Sequence, residues 1–231
     1  VEECDRIVRA AHDAPGKFMV GHICRFDPRV ILAKKAVAEG RIGRILSMHA
    51  RRNLPAFIGA EVLDKISPLL GDGVHDTDIM LWLAESRIES VFARTVQVRN
   101  FRNPDIGWAL FGFESGAVGV IETVWHLPEK SPFAIDARME VIGTEGALYI
   151  DCGNGGLSIH DAMGVSMPDT VYWPAVNNAR DGALRRELEY FTACVRKNTV
   201  PDVITPEESR EAVKAVCAAE ESAAQRKIVF L

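Results

Sequence analysis

A chain of 231 residues is long enough to bury a real core, as one large domain or two smaller ones. Hydrophobic residues make up 48% and charged residues 26%, the balance of a soluble globular protein. The formal charge of −5 leaves no basic footprint for nucleic acid or an anionic lipid surface, so neither is an expected partner.

The opening stretch EECDRIVRAAHDAPGKFMVGHI reads as a helix, a Pro15-Gly16 turn and a strand. Ile7, Ala10 and Ala11 recur at helical spacing. KFMVGHI is a short apolar run of the kind found inside a parallel sheet. Helix then strand is the tail of an α/β unit. The N-terminus is acidic and helix-patterned, unlike a signal peptide, and it lacks an initiator methionine. The chain is therefore expected to be cut from something longer. Asp27 is placed to cap a second helix, Pro28 fits its first turn and Gly40 stops it. Val30, Ala33, Val37 and Ala38 mark one face of that helix.

After Gly43 the period changes from helical to two, and RILSMHARRN reads as a strand. Residues 54–68 read as a loop and Gly73 to Ala84 as a helix. Strand candidates then crowd together at 90–99, 107–114, 117–126, 134–143, 147–151, 156–161 and 170–174. Turn signals at Glu114-Ser115-Gly116, Thr144-Glu145-Gly146 and Gly153-Asn154-Gly155-Gly156 favour antiparallel pairing. In 107–114, Trp108 and Leu110 point one way while Phe111 and Phe113 point the other. A sheet wetted on one side would not need both. One face is expected to meet helices and the other a partner chain, with a second layer from the same chain as the rival.

Two helices close the chain. Leu184, Leu188, Phe191 and Val195 form a stripe, and Thr205-Pro206-Glu207-Glu208 is a capping box with proline at the first helical position. The five cysteines (4, 24, 152, 194 and 217) are odd in number and widely spaced, with no CxxC. No disulfide framework or thiolate zinc site follows, and a reducing cytoplasm is the expected home. The longest wholly apolar run, Ile79 to Ala84, is too short to span a bilayer.

Chemistry concentrates in LLGDGVHDTDIMLWL, residues 69 to 83. Gly71 and Gly73 flank Asp72, which suits a sharp turn into a helix that Asp72 can cap. Asp76 falls in the first turn, where the helix dipole stabilises a carboxylate by ~0.3–1 kcal/mol. That structural reading needs no catalysis. His75 begins a stripe continued by Ile79 and Trp82, so it should look inward or into a cleft. The helix N-terminus disfavours its imidazolium. A touching carboxylate favours it by ~4 kcal/mol at ~4 Å and an effective dielectric of ~20. Asp78, three residues on, can reach His75 on the same face. A histidine oriented by a carboxylate is the usual acid–base arrangement, and also occurs as a satisfied core pair. His75-Asp76 also resembles the HD pair of metal-dependent phosphohydrolases. Those enzymes gather further histidines on other helices, whereas His49, His126 and His160 fall on predicted strands here.

Arg51, Arg52 and Asn53 end the first sheet strand and can hold substrate hydroxyls or a phosphate, with surface solvation as the alternative. Trp125 and His126 end another strand, where a ring can stack on a sugar face; core packing is the rival for Trp125.

Taken together, the chain resembles the Gfo/Idh/MocA family of NAD(P)-dependent oxidoreductases. KFMVGHICRFDP resembles the family's last Rossmann strand and its link into the second domain. EGRIGRI resembles the signature that opens the family's sheet, and GVHDTDIMLWL its catalytic-histidine helix. MEVIGTEGALYID resembles a sheet hairpin, and ESREAVKAVCAAEESAAQRKIVFL the closing helix and strand.

The resemblance implies an α+β chain: a large, mostly antiparallel sheet with helices on one face, preceded by the last helix and strand of a Rossmann-like domain. Residues 1–26 would be that remnant, and 27–231 a C-terminal substrate and oligomerisation domain. It implies hydride transfer between nicotinamide, as NAD or NADP, and a sugar, cyclitol or related polyol. His75 would be the acid–base, helped by Asp72 or Asp78 and by a lysine outside this chain. Arg25 would lie near the nicotinamide, or else form an interdomain salt bridge. The open sheet face would make a homodimer or homotetramer. A non-catalytic binding or assembly module on the same fold is the alternative. Two departures stand out. Neither GxGxxG nor the family's glutamate-lysine-proline segment occurs, so on the order of 100 upstream residues are missing and this chain alone should not bind NAD(P). Gly71 stands where the family often has an aspartate, with Asp72 one place later, a turn of ~100° on a helix.

Overall fold

The computed structural model describes residues 1–153 and 156–231. The chain runs α1 (Glu2–Asp13), a 3₁₀ turn (Ile23–Phe26), α2 (Pro28–Ala38), β1 (Ile45–Asn53) and α3 (Ala56–Ala60). A π-helical turn (Leu69–Gly73) then leads into α4 (Val74–Ala84). Next come β2 (Ile88–Val96), β3 (Ile106–Phe113), β4 (Val118–Val124), β5 (Asp136–Gly143) and β6 (Ala147–Asp151). Two small hairpins follow, β7 (Ile159–Asp161) with β8 (Gly164–Ser166) and β9 (Ala175–Val176) with β10 (Ala179–Arg180). The chain ends with α5 (Ala183–Lys197), α6 (Pro206–Gln225) and β11 (Val229–Phe230).

The large sheet has seven strands in the order β11-β2-β3-β4-β1-β5-β6. Only the β1/β4 pair is parallel; the rest are antiparallel, as the short links between β3 and β4 and between β5 and β6 require. Period-two alternation then decides the layers. Met48, Ala50, Ala109, Phe111, Ile121, Met139 and Val141 point to one side, where Ile79, Met80 and Leu83 of α4 and Ala215, Ala218 and Ala219 of α6 complete the core. The other side leaves Trp108, Leu110, Val118, Ile142 and Tyr149 open to solvent, with Tyr149 72% exposed. The expected class, α+β with helices on one face of a mostly antiparallel sheet, is the one observed.

Local signals held at the helix ends. The Asp27 carboxylate accepts from the Arg29 amide at 2.9 Å, and Thr205 and Glu208 form the reciprocal capping box. The tight corner before β1 depends on Gly143, where an added Cβ would sit 2.0 Å from the Ile42 carbonyl oxygen. Gly143→Ala is expected to cost about 1–3 kcal/mol, read as a lower urea midpoint with an unchanged slope.

Several expectations need correcting. Residues 17–22 form no strand, because a strand needs a neighbour to pair with and no described strand lies beside them. Residues 170–174 form none either. The Asp169 carboxylate gathers the amides of Val171, Tyr172 and Trp173 at 2.8, 2.9 and 2.8 Å, which takes those donors away from any ladder. The 54–68 loop contains α3. On α5 the buried residues are Ala183, Glu187 and Cys194, while Leu188 and Val195 of the apolar stripe face solvent. Asn154 and Gly155 of the expected glycine turn lie outside the described residues.

Candidate active site

Helix α4 begins beside the C-terminal end of β1, and the π turn before it decides where its acids point. The helical turn already begins at Leu69, so Asp72 lies inside it and not at the N-cap of α4, which is Gly73. Asp72 Oδ2 instead accepts from Trp125 Nε1 at 2.6 Å. Gly71 makes room for the same ring: a Cβ there would lie 2.7 Å from it. Trp125 is 3% exposed and packs with Leu54 and Leu63. It is a core residue that holds Asp72, not an open stacking platform.

The other two aspartates are claimed by arginines. Asp76 takes both bonds of a fork from Arg52, at 3.0 and 2.8 Å, and Arg52 also donates to the Tyr172 hydroxyl at 3.1 Å. Asp78 takes a second fork from Arg25, at 2.8 and 2.7 Å. Arg25 further donates to the Val203 carbonyl and to Glu208, at 2.7 and 3.1 Å, with its guanidinium over the Trp82 ring. Asp78 therefore does not orient His75. A bidentate guanidinium–carboxylate pair is stronger than a single imidazole contact, and Arg25 offers one within reach. Arg25, only 1% exposed and with its donors engaged, is an internal brace in place of the expected nicotinamide contact.

His75 is left with no carboxylate partner. Its Nδ1 is buried and unbonded, while the residue as a whole stays partly exposed. Its neighbour is His22, whose ring stands edge-on at 88° with centroids 6.0 Å apart. Burial pushes the His75 imidazole down to about 3, helped by the Arg52 charge and then by His22. It is a neutral base throughout the physiological range. Burial pushes Asp72 up to about 6, against the pull of Arg52 and of the Trp125 N–H. Burial opposes the Arg52 charge, but Asp76 more than offsets it and keeps the guanidinium protonated.

These shifts act in opposite directions on stability. His75 binds its proton more weakly folded than unfolded, so its contribution is full above about pH 6.5 and is lost as pH falls toward 3. Asp72 binds its proton more tightly folded, so its penalty grows as pH rises from 3.8 to about 6. Between pH 7 and 5 the two contributions oppose one another. Asp72→Asn should make stability fall as pH drops over that interval relative to the parent. His75→Gln should make it rise. Urea titrations at the two pH values check both.

The remaining candidates separate by strand face. Arg51 and Asn53 alternate with Arg52 and so lie on the open side of the sheet, away from His75. Arg51 pairs with Asp136 at 3.0 Å. Asn53 clamps β1 to β4, donating to Glu122 at 2.6 Å and accepting from the Val124 amide at 2.9 Å. They do not converge on the histidine; Arg52 does. His126 is exposed one residue past Trp125. Sequence reasoning missed His22, although a lone polar residue ending the apolar run KFMVG was its signal. The phosphohydrolase reading does not fit, because both Asp76 oxygens are occupied by Arg52 and the fold is not all-helical. Among the described residues no three His, Cys, Asp or Glu side chains are grouped to hold a metal, and no helix is long and apolar enough to cross a membrane.

The architecture is shared with solved structures. It superposes on GenD2 from gentamicin A biosynthesis, in complex with NAD, at a TM-score of 0.83 with 22% identity, covering 99% of this chain and 67% of that one. Scyllo-inositol dehydrogenase from Lactobacillus casei, with bound NAD(H) and scyllo-inositol, gives 0.78 with 21% identity, covering 99% and 69%. Residues 30–149 match the profile of the GFO/IDH/MocA C-terminal domain, and the chain belongs to that family. Scyllo-inositol 2-dehydrogenase (NAD+) of Bacillus subtilis is 31% identical over 194 residues, 80% of this chain and 54% of that protein. Inositol 2-dehydrogenase 2 of Saccharopolyspora erythraea is 30% identical over 150 residues, 64% of this chain and 43% of that protein. The chain thus spans about half the length of the curated relatives it matches.

Proposed function

We propose that this chain is the substrate-binding part of an NAD(P)-dependent dehydrogenase that oxidises a ring hydroxyl of a cyclitol or related sugar. The observation that carries the reading is a partly exposed imidazole at a helix mouth, kept neutral by burial and by the cationic side of the Arg52–Asp76 pair. The names of the curated relatives support a cyclitol as substrate. Residues 1–26 are then the end of a dinucleotide-binding domain and 27–231 the substrate domain. The open sheet face, with Trp108, Leu110 and Tyr149 exposed, is assigned to a homodimer or homotetramer contact, and the free cysteines agree with a cytoplasmic setting.

The dinucleotide fit is one-ended. No GxGxxG occurs in these residues, so they supply no pyrophosphate cradle. The cluster around His75 fits the reacting end, because its unbonded ring can take a hydroxyl proton. Hydride acceptance is the chemistry that nicotinamide supplies when bound. His75 removes the hydroxyl proton as the carbon is oxidised, and the resulting imidazolium later returns the proton to water. Arg52, held in place by Asp76, acts through His75 by adding to burial in keeping its resting form unprotonated. Asp72, with a carboxyl pushed up to about 6, stands beside the same helix mouth as a second proton carrier.

The test is an absorbance screen of the full-length protein with NAD and NADP against inositols, aldoses and their acids. Reduction of the nicotinamide with at least one inositol is the expected result. A protein that binds nicotinamide but turns over no polyol would sink the proposal.

A further inference from the structure

The most under-bonded side chain beside the site is one that the mechanism above leaves unused. Both ring nitrogens of His22 are buried without a hydrogen-bond partner. The ring meets His75 edge-on at a centroid distance of 6.0 Å, and the Nδ1 of His75 is itself buried and unbonded. On the other side of His22, Asp78 Oδ2 lies 3.9 Å from its Nδ1. The remaining charges around the pair are spoken for. Arg25 and Glu208 bond one another and Asp78 is on Arg25, while Arg52 is on Asp76. Glu187 of α5 stands beside Gly21.

A neutral imidazole carries one N–H, and its place decides what the ring can do. With the proton on Nε2, His75 presents a donor and cannot act as a base there. With the proton on Nδ1, Nε2 keeps its lone pair, but the buried N–H then needs an acceptor. Leaving it without one costs about 1–3 kcal/mol. Among the described residues the ring in contact with His75 is that of His22, which makes it the candidate acceptor. The Asp78 carboxylate beside His22 Nδ1 favours the His22 proton at that nitrogen, which leaves His22 Nε2 as an acceptor.

We infer that His22 is the positioning residue of the site, fixing His75 with its proton on Nδ1 and its Nε2 bare for substrate. With centroids 6.0 Å apart, two ring nitrogens turned toward each other come no nearer than about one ångström beyond hydrogen-bond length, a gap that a small movement of either ring or one bridging water closes. When Nε2 takes the substrate proton, the Nδ1–H of the imidazolium points at His22, with the Asp78 charge behind it. The Nδ1 proton stays in place; the Nε2 proton is the one later released to water. Only this last step rests on the dehydrogenase reading, because the tautomer is a property of the chain without cofactor or substrate.

The experiment is ¹⁵N NMR of the ring nitrogens in histidine-labelled full-length protein without nicotinamide, with His75 assigned by the signals lost in His75→Gln. The expected wild-type result is a protonated Nδ1 and a bare Nε2. His22→Phe keeps the ring shape and should move His75 toward the Nε2–H form. His22→Gln restores an acceptor and should restore the wild-type pattern. In the full-length enzyme, His22→Phe should lower kcat about 10-fold or more with KM little changed, and His22→Gln should recover most of it. A wild-type His75 protonated on Nε2 overturns the inference even if His22→Phe does not fold, as does a tautomer indifferent to His22. A tautomer that follows His22 in a protein without polyol turnover overturns the dehydrogenase reading alone.

Discussion

Replacing His75 with alanine in the full-length protein is expected to lower kcat/KM with its polyol by about 10²–10⁴-fold, a loss of ~3–5 kcal/mol of transition-state stabilisation. The size follows from the environment of the ring. No carboxylate bonds to His75, and those of Asp76 and Asp78 are held in arginine forks, so neither is free to take over the hydroxyl proton. Asp72 is closest in role, but its carboxylate is tied to Trp125 Nε1 at 2.6 Å. His75→Gln keeps the volume and some hydrogen bonding yet cannot accept a proton, so it should be nearly as slow. Steady-state kinetics with nicotinamide reduction as the readout separates the outcomes. Turnover within a few fold of wild type in both variants would remove His75 from the reaction.

Replacing Arg52 with methionine is expected to destabilise the fold by about 3–5 kcal/mol. The change strands the Asp76 carboxylate, which is 2% exposed, and removes a partner of the Tyr172 hydroxyl. The cost comes from the orphaned charge more than from the lost attraction, because burying an ion pair already forfeits most of the hydration of both ions. The double variant Arg52→Met with Asp76→Leu should therefore recover most of the loss. Denaturant unfolding of the two variants beside the parent measures it. A double variant no more stable than Arg52→Met would show that packing, not the uncompensated charge, carries the effect.

Helix ends were legible because capping is local: Asp27 and Thr205 act within three residues of themselves. The sheet was legible because period-two runs and tight turns leave few alternatives. The 17–22 run failed because an apolar strand pattern needs a pairing neighbour, and pairing is not a local property. The 170–174 run failed because a single carboxylate, Asp169, claimed three amides.

At the site, sequence marked the helix mouth and its histidine, since spacing alone places His75, Asp76 and Asp78 within one turn. Which acid touches which base was decided elsewhere. Arg52 arrives from β1 and Arg25 from the 3₁₀ turn, 24 and 53 residues away along the chain from the aspartates they hold. Strand pleating turned Arg52 toward the histidine and Arg51 away from it. Periodicity by itself determined a run of antiparallel strand candidates between helices and a polar helix entry, and the resemblance supplied the α+β class. Only the tertiary structure decided that its histidine stands without a carboxylate and beside a second imidazole. The physical reason is competition: a charged group takes the partner with the most complementary donors within reach, and reach is set by the fold.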